Sequence, residues 1–320
     1  MDERFELLKK WLEEQLGLQH YSICPASEDA SFRRYFRVSH DGQSHIVMDA
    51  PPEKENCQTF INTAELLSRT GVNVPHILHE NIKQGFLYLT DLGNKTYLPE
   101  LNEQSAASLY TDAMQALISI QKYQDADLPC YDYALLIQEM ELYREWYIEQ
   151  HLKQQISVNE HVILDEMFDF LAQEALSQPV VIVHRDYHSR NLMLNQPNPG
   201  ILDFQDAVLG PVSYDLVSLL RDCYIQWPEK QVDAWVKQYY MLAQQNDILS
   251  SAISEATFVR WFDLMGLQRH LKVAGIFSRL NYRDGKSGYL NDIPLTMCYI
   301  KQVAQRYPEL SDFNRMLQKK

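Results

Sequence analysis

Apolar residues at Phe5, Leu8, Leu12 and Leu16 recur at three- and four-residue intervals, the period of one helix face. They predict that the chain opens with an amphipathic helix. The period then shortens. Tyr35 to Val38 and His45 to Met48 read as strands on either side of Asp41-Gly42, a pair that favours a two-residue hairpin turn. Cys57, Ile61, Ala64 and Leu67 restore the helical period, which stops near Gly71. Phe86 to Leu89 is a further strand and runs into Thr90-Asp91-Leu92-Gly93. Beyond Gly93 the texture changes. Leu109, Ala113, Leu117 and Ile120 mark one helix, and ALLIQEMELYREWYIEQHL marks a second. Val180–Val183 and Ile201–Leu202 are short apolar strands, expected to pair with each other. From Tyr214 the period is helical almost to the end. The pattern predicts an α+β protein in two parts: a small β-rich part over residues 1–92 and a larger helical part over 93–320.

With 320 residues the chain is long enough for both parts to have cores. Its 46% hydrophobic and 22% charged content is that of an ordinary globular protein. Charge narrows the functions. Lys plus Arg is 29 against 43 Asp plus Glu, a net charge of −14, which argues against nucleic-acid binding and against an anionic membrane surface. It leaves room for an anionic substrate at a local arginine cluster. Cys24, Cys57, Cys130, Cys223 and Cys298 are isolated, so buried thiols in a reducing compartment are expected rather than a disulfide framework. The acidic N-terminus, MDERFELLKKWLEEQLG, is not a signal peptide, and no apolar run spans a bilayer. A cytoplasmic monomer acting on a small molecule is the expectation.

The chemistry concentrates in VHRDYHSRNLMLNQPNPGILDFQ, residues 183–205. His184-Arg185-Asp186 followed by Asn191 has the H-R-D-x-x-x-x-N spacing of a kinase catalytic loop, and Asp203-Phe204-Gln205 stands where D-F-G would follow. Phosphoryl transfer needs a carboxylate to take the acceptor hydroxyl's proton, a role for Asp186. It needs hard oxygen ligands for Mg2+, which Asn191 and Asp203 supply. His188 and Arg190 lie within the loop, where a cation can reach the γ-phosphate. The alternatives are that His188 packs and Arg190 pairs with Asp206 or Asp215. Those two acids are read as supports of the loop.

These motifs resemble the aminoglycoside phosphotransferase superfamily of small-molecule kinases, over nearly the whole chain. SFRRYFRV, VMDAPPEKE, GVNVP, LTDLG, HRDYHSRNLM, GILDFQDAVLGPVSYDLVSLLRD and RLNYRDGKSGYLNDIP carry a closer resemblance to its amino-sugar kinases of cell-wall recycling. The resemblance implies a two-lobed protein-kinase-like fold, with residues 1–92 binding nucleotide and 93–320 carrying the catalytic loop, metal and sugar. It implies ATP and Mg2+, and transfer to the anomeric hydroxyl of N-acetylmuramate and N-acetylglucosamine.

The chain departs from the kinase pattern where the ATP phosphates would be held, and it has no G-x-G-x-x-G. The strand reads HIVMDAP, so Met48 stands where a phosphate-gripping lysine is expected. Arg33, Arg34 and Lys54, with backbone N–H groups near Ser31, are the candidate replacements. Backbone groups of Thr90, Asp91 and Leu92 would take adenine, the Asp91 side chain serving as a cap or ribose contact. Segments 221–224 and 279–292 mix charges, aromatics and glycines between apolar helices and would hold the sugar. Arg221, Arg279 and Arg283 are candidates for a substrate carboxylate. A protein kinase is disfavoured, since only DAVLGPVSY separates DFQ from the next helix and no A-P-E follows. The absent lysine leaves a pseudokinase open, against which Asp186, Asn191 and Asp203 stand. Another acceptor, such as an aminoglycoside, choline or a different sugar, also stays open.

Overall fold

Asp41 and Gly42 both adopt positive φ, 50° and 75°, as a type I′ hairpin turn requires. In the computed structural model, which describes residues 2–28 and 32–319, they join strand β2 (Arg34–His40) to β3 (Gln43–Asp49) in register His40 opposite Gln43. With β1 (Ser22–Glu28), β4 (Ile77–Asn81) and β5 (Phe86–Thr90) they form one antiparallel sheet in the order β1-β2-β3-β5-β4. Helix α1 (Glu3–Glu14), capped by the Asp2 side chain, buries Leu8, Trp11 and Leu12 against Phe36, Val38, Val47, Phe86 and Tyr88 of the sheet. Each fully buried apolar side chain contributes about 1.5–3 kcal/mol, so this face fixes α1 on the sheet. Helix α2 (Cys57–Arg69) is capped by Asn56 and buries seven of its residues.

The edge strands were not legible in the sequence. β1 carries Pro25 beside a register shift, and β4 shifts register between Ile77 and His79 with three exposed residues in the middle. Proline and mixed polarity are tolerated at a sheet edge because one side needs no partner.

Chain contacts divide the molecule into two units: Met1–Lys95 with Met193–Gln205, and Thr96–Leu192 with Asp206–Lys320. In the first unit, the Asn73 carbonyl accepts from Ile201 N (2.8 Å), while the Asn73 amide donates to Asn195 Oδ1 (3.1 Å) and the Pro197 carbonyl (2.7 Å). A Cβ at Gly200 would come within 2.9 Å of Leu92 Cδ1 and 3.2 Å of Met193 Cβ, so a side chain there would displace Leu92.

The second unit is helical: α3 (Tyr97–Glu100), α4 (Ala106–Gln121), α5 (Tyr133–Leu142), α6 (Val158–Leu176), then α7 (Tyr214–Leu220), α8 (Glu229–Gln245), α9 (Glu255–Tyr282), α10 (Ile293–Arg306) and α11 (Ser311–Lys319). Helix α9 is its axis, buried along most of its 28 residues. Gly275 lets α9 approach closely, since a Cβ there would lie 2.3 Å from the Leu142 carbonyl carbon. At this point α5 gives way to a π-helix, Tyr143–His151, where a single continuous α-helix was expected. Helix α6 begins in a capping box, Ser157 with Glu160, a sequence signal that went unused.

One expected pairing is corrected. Strand β6 (Val180–Val183) pairs antiparallel with β9 (Val208–Pro211), and not with residues 201–202. Gly200–Ile201 (β8) instead pairs with Leu192–Met193 (β7) and bridges to Asn73. The reason is that the backbone groups of β8 are engaged within the first unit. No helix among the described residues is long and apolar enough to cross a membrane.

Candidate active site

The loop from His184 to Asn191 leaves β6 and is held by two buried carboxylates. Asp215, in the first turn of α7 and inaccessible to solvent, accepts from the backbone N–H of His184 (2.6 Å) and Arg185 (3.0 Å). Burial pushes its carboxyl up to about 7, against those two hydrogen bonds. Asp222, just after α7, accepts from Ser189 N (2.9 Å) and Ser189 Oγ (2.5 Å) through one oxygen and from Tyr224 N (3.0 Å) through the other. The Tyr187 hydroxyl, buried, donates to the Ala113 carbonyl (2.8 Å). Within the loop His188 N donates to the Asp186 carbonyl (3.0 Å) and Asn191 N to the His188 carbonyl (2.9 Å).

Asp186 faces cations of α9. Arg269 Nη1 lies 3.9 Å from its carboxylate. Burial opposes ionisation, but the charges of Lys272 and Arg269 outweigh it and hold the carboxyl below the usual carboxylate range. The group is therefore ionised at neutral pH. His188 is half-buried, its pKa lowered by desolvation, with Nδ1 lacking a partner and the ring edge-on to Tyr224 at 5.4 Å. It is a neutral imidazole rather than the cation the sequence suggested. Arg190 lies over the Tyr224 ring at 3.5 Å, with Asp292 at 3.9 Å as its carboxylate neighbour in place of the Asp206 or Asp215 named as the alternative.

Both polar segments expected to hold a sugar reach this loop. Tyr224 packs on Phe277 (6.1 Å), which packs on Tyr289 (5.3 Å) of the short 3-10 helix Ser287–Asp292. The three arginines named for a substrate carboxylate part company. Arg221 is 7% exposed and forms an ion pair with Asp263 (2.7 Å), so its charge is already neutralised; it also borders a cavity of about 360 Å³ with Trp227, Glu229 and Tyr299. Arg283 is exposed and bound to Asp284 (2.7 Å). Arg279 is half-buried, and its Nε has no hydrogen-bond partner.

In the first unit Met48 is fully buried. Asp49 follows it, also fully buried, and its carboxylate takes Nε (2.9 Å) and Nη2 (2.5 Å) of Arg4 on one oxygen, and Nε (3.0 Å) and Nη2 (2.5 Å) of Arg34 on the other. Arg34 also pairs with Asp2, and Arg33 lies 3.6 Å from Glu55. Asp91 pairs with Arg37 (2.6 Å) and accepts from Gly93 N (2.9 Å), so its side chain caps the turn. Thr90 N donates to the His76 carbonyl (2.9 Å), and the Leu92 carbonyl accepts from the Asn195 amide (3.1 Å). Ser31 lies outside the described residues.

The donors proposed for Mg2+ suit that ion chemically. The Asn191 amide nitrogen donates to the Asp186 carbonyl (3.0 Å), which fixes the amide's orientation on the loop. Asp203 has φ 62° and accepts from Gln205 Nε2 (2.8 Å), while Phe204 beside it packs on Phe60 at 4.9 Å. A carboxylate and an amide oxygen are hard donors of the kind Mg2+ selects, and no group of three or more His, Cys, Asp or Glu among the described residues competes as a metal cage.

Several residues that shape the site were missed. Asp222 was visible only as part of a polar segment. Glu139, Arg269 and Lys272 are charged residues buried in helices, and their signal was charge within an otherwise apolar run, which soluble helices retain when the charges are paired.

A cation-flanked aspartate on a loop tethered by backbone hydrogen bonds, with an asparagine held five residues on, is an arrangement that suits phosphoryl transfer. Comparison agrees. Residues 22–247 match the model of the phosphotransferase enzyme family, and the chain belongs to that family. It is 45% identical to the N-acetylmuramate/N-acetylglucosamine kinase of Pseudomonas putida, across 99% of this chain and 96% of that protein. Among solved structures it resembles an ethanolamine kinase of Plasmodium vivax (TM-score 0.66, 10% identity, 92% of this chain and 88% of that one). It also resembles the ADP-bound aminoglycoside phosphotransferase APH(2'')-Ib (TM-score 0.57, 13% identity, 93% and 97%).

Proposed function

We infer that this chain is an ATP-dependent kinase that phosphorylates N-acetylmuramate and N-acetylglucosamine on the anomeric hydroxyl. The observation that carries this reading is Asp186, ionised and held among Arg269, Lys272 and His188 on a loop fixed by Asp215 and Asp222. The close relative named for those two sugars supports the choice of acceptor.

Asp186 would accept the hydrogen bond of the acceptor hydroxyl and then its proton as the bond to phosphorus forms. A carboxylate of low pKa is a weak base. An anomeric hydroxyl suits it, because the ring oxygen on the same carbon makes that hydroxyl more acidic than an ordinary alcohol. Mg2+, when bound by Asn191 and Asp203, would neutralise charge on the phosphates. Arg34 would supply the cation that Met48 does not, its guanidinium oriented by Asp49 and presented to phosphate in place of Asp2. The Thr90–Leu92 backbone would meet adenine. Tyr224 and Tyr289 would offer ring faces to the sugar, and Arg190, stacked on Tyr224, a donor pair for phosphate or for the lactyl carboxylate of N-acetylmuramate. We place the chain in the cytoplasm, where its cosubstrate is made.

The test is turnover of ATP with each sugar, the product's phosphate located by phosphorus NMR. Sugar 1-phosphates are expected from both, with a 6-deoxy analogue reacting and a 1-deoxy analogue inert. Phosphate on carbon six, or no turnover of either sugar beside efficient phosphorylation of choline or an aminoglycoside, overturns the substrate assignment.

A further inference from the structure

Arg185, the residue before the proposed base, has φ 76°, a left-handed conformation that a non-glycine side chain holds only when its surroundings impose it. Three elements impose it. Asp215 of α7 accepts from its N–H (3.0 Å), and Arg269 of α9 donates to its carbonyl (3.0 Å). Its guanidinium, over the Tyr131 ring at 5.7 Å, is gripped by Glu139 of α5.

Glu139 is 5% exposed, and its carboxylate is fully committed. One oxygen takes Arg185 Nη2 and Lys272 Nζ (2.8 Å), and the other takes the Tyr131 hydroxyl and Gln268 Nε2 (3.4 Å). Lys272, 6% exposed, also donates to the Tyr214 hydroxyl (3.1 Å), which in turn accepts from Arg269 (3.3 Å). Glu139 therefore balances two buried cations, and through Arg185 it bears on the backbone that aims Asp186.

We propose that Glu139 and Lys272 are positioning residues for phosphoryl transfer: together they hold the Arg185 side chain, and so the left-handed turn that points Asp186 at the acceptor hydroxyl. The proposal rests on the kinase reading. Neither residue touches substrate. Lys272 keeps Glu139 ionised in a buried setting, and Glu139 holds Arg185. The prior alternative is that the pair serves stability alone, as many buried ion pairs do. The two roles separate because a neutral replacement of both partners returns the cluster to its wild-type net charge while leaving Arg185 without the carboxylate that grips it.

The experiment compares wild type, Glu139→Gln, Lys272→Met, Lys272→Arg and the double variant Glu139→Gln/Lys272→Met, reading kcat, KM for ATP and thermal midpoint. Wild-type turnover tests the kinase reading by itself; ratios to wild type test this one. Glu139→Gln is expected to lower kcat by about 100-fold, the effect of a misplacement of about 1 Å, with KM for ATP within about twofold. Lys272→Met should lower kcat in the same way, and Lys272→Arg should recover it. The double variant should regain thermal stability and keep the low kcat. If Glu139→Gln alone does not fold, the double variant supplies the reading. Recovery of both stability and kcat in the double variant, or a Glu139→Gln enzyme with wild-type kcat, overturns the proposal.

Discussion

Asp215 offers a test of how the catalytic loop is held. Its carboxyl is inaccessible to solvent and accepts two backbone N–H groups of the loop. Burial raises its pKa from an ordinary 3.8 to about 7, with the Asp186 charge adding to that effect and Arg269 opposing it. Between those values the unfolded chain has lost the proton and the folded chain has kept it. The folded state binds more protons, so stability contributed by this group is complete below about pH 4 and lost as pH rises through 7. A gap of about 3 pH units corresponds to ~4 kcal/mol over that window. Asp215→Asn removes the titration. The amide oxygen still accepts one loop N–H, but its NH2 faces the other, a loss of ~1–3 kcal/mol that does not vary with pH. The difference in unfolding free energy between the two proteins, measured by urea titration from pH 5 to pH 8, should therefore change with pH. The variant should be the less stable at pH 5 and equal to or more stable than wild type at pH 8. A difference that stays flat across the range would show that the two loop N–H groups keep Asp215 ionised throughout, and the burial argument would be wrong.

Asp186→Asn keeps size but cannot accept a proton; kcat should fall by roughly 10²–10⁴-fold, with ATP affinity by calorimetry little changed. Asp203→Ala should raise the Mg2+ concentration needed for half-maximal rate, and Asn191→Ala should do so less, since a neutral ligand contributes less than a carboxylate; superimposable Mg2+ titrations would remove both from the metal site. Arg34→Met should raise KM for ATP and lower kcat together, while an unchanged KM would move the phosphate grip to Arg33 or Lys54. Gly275→Ala would press a methyl against the Leu142 backbone at 2.3 Å and should cost ~1–3 kcal/mol in denaturant melts, with a wild-type midpoint ruling out the close packing.

What the sequence by itself determined was local. The Asp41-Gly42 hairpin, α1, α2, α4 and the catalytic-loop spacing were readable because each depends on residues within a turn or two of one another: a periodic face, a turn that needs positive φ, a motif of fixed length. Tertiary structure decided everything that depends on residues far apart. It chose β9 over residues 201–202 as the partner of β6, and widened the helix into a π turn where Gly275 brings α9 against Leu142. It drew Arg221 into an ion pair with Asp263 and left Arg190 stacked on Tyr224. It set Glu139 and Lys272 beneath Arg185 from positions 46 residues before it and 87 after. A charged residue in an apolar helix announces that it needs a partner, because burial penalises a lone charge, but its own sequence neighbours do not say which partner. That choice belongs to the packing of α5, α7 and α9 around the loop, where geometry selects among opposite charges that the sequence leaves equivalent.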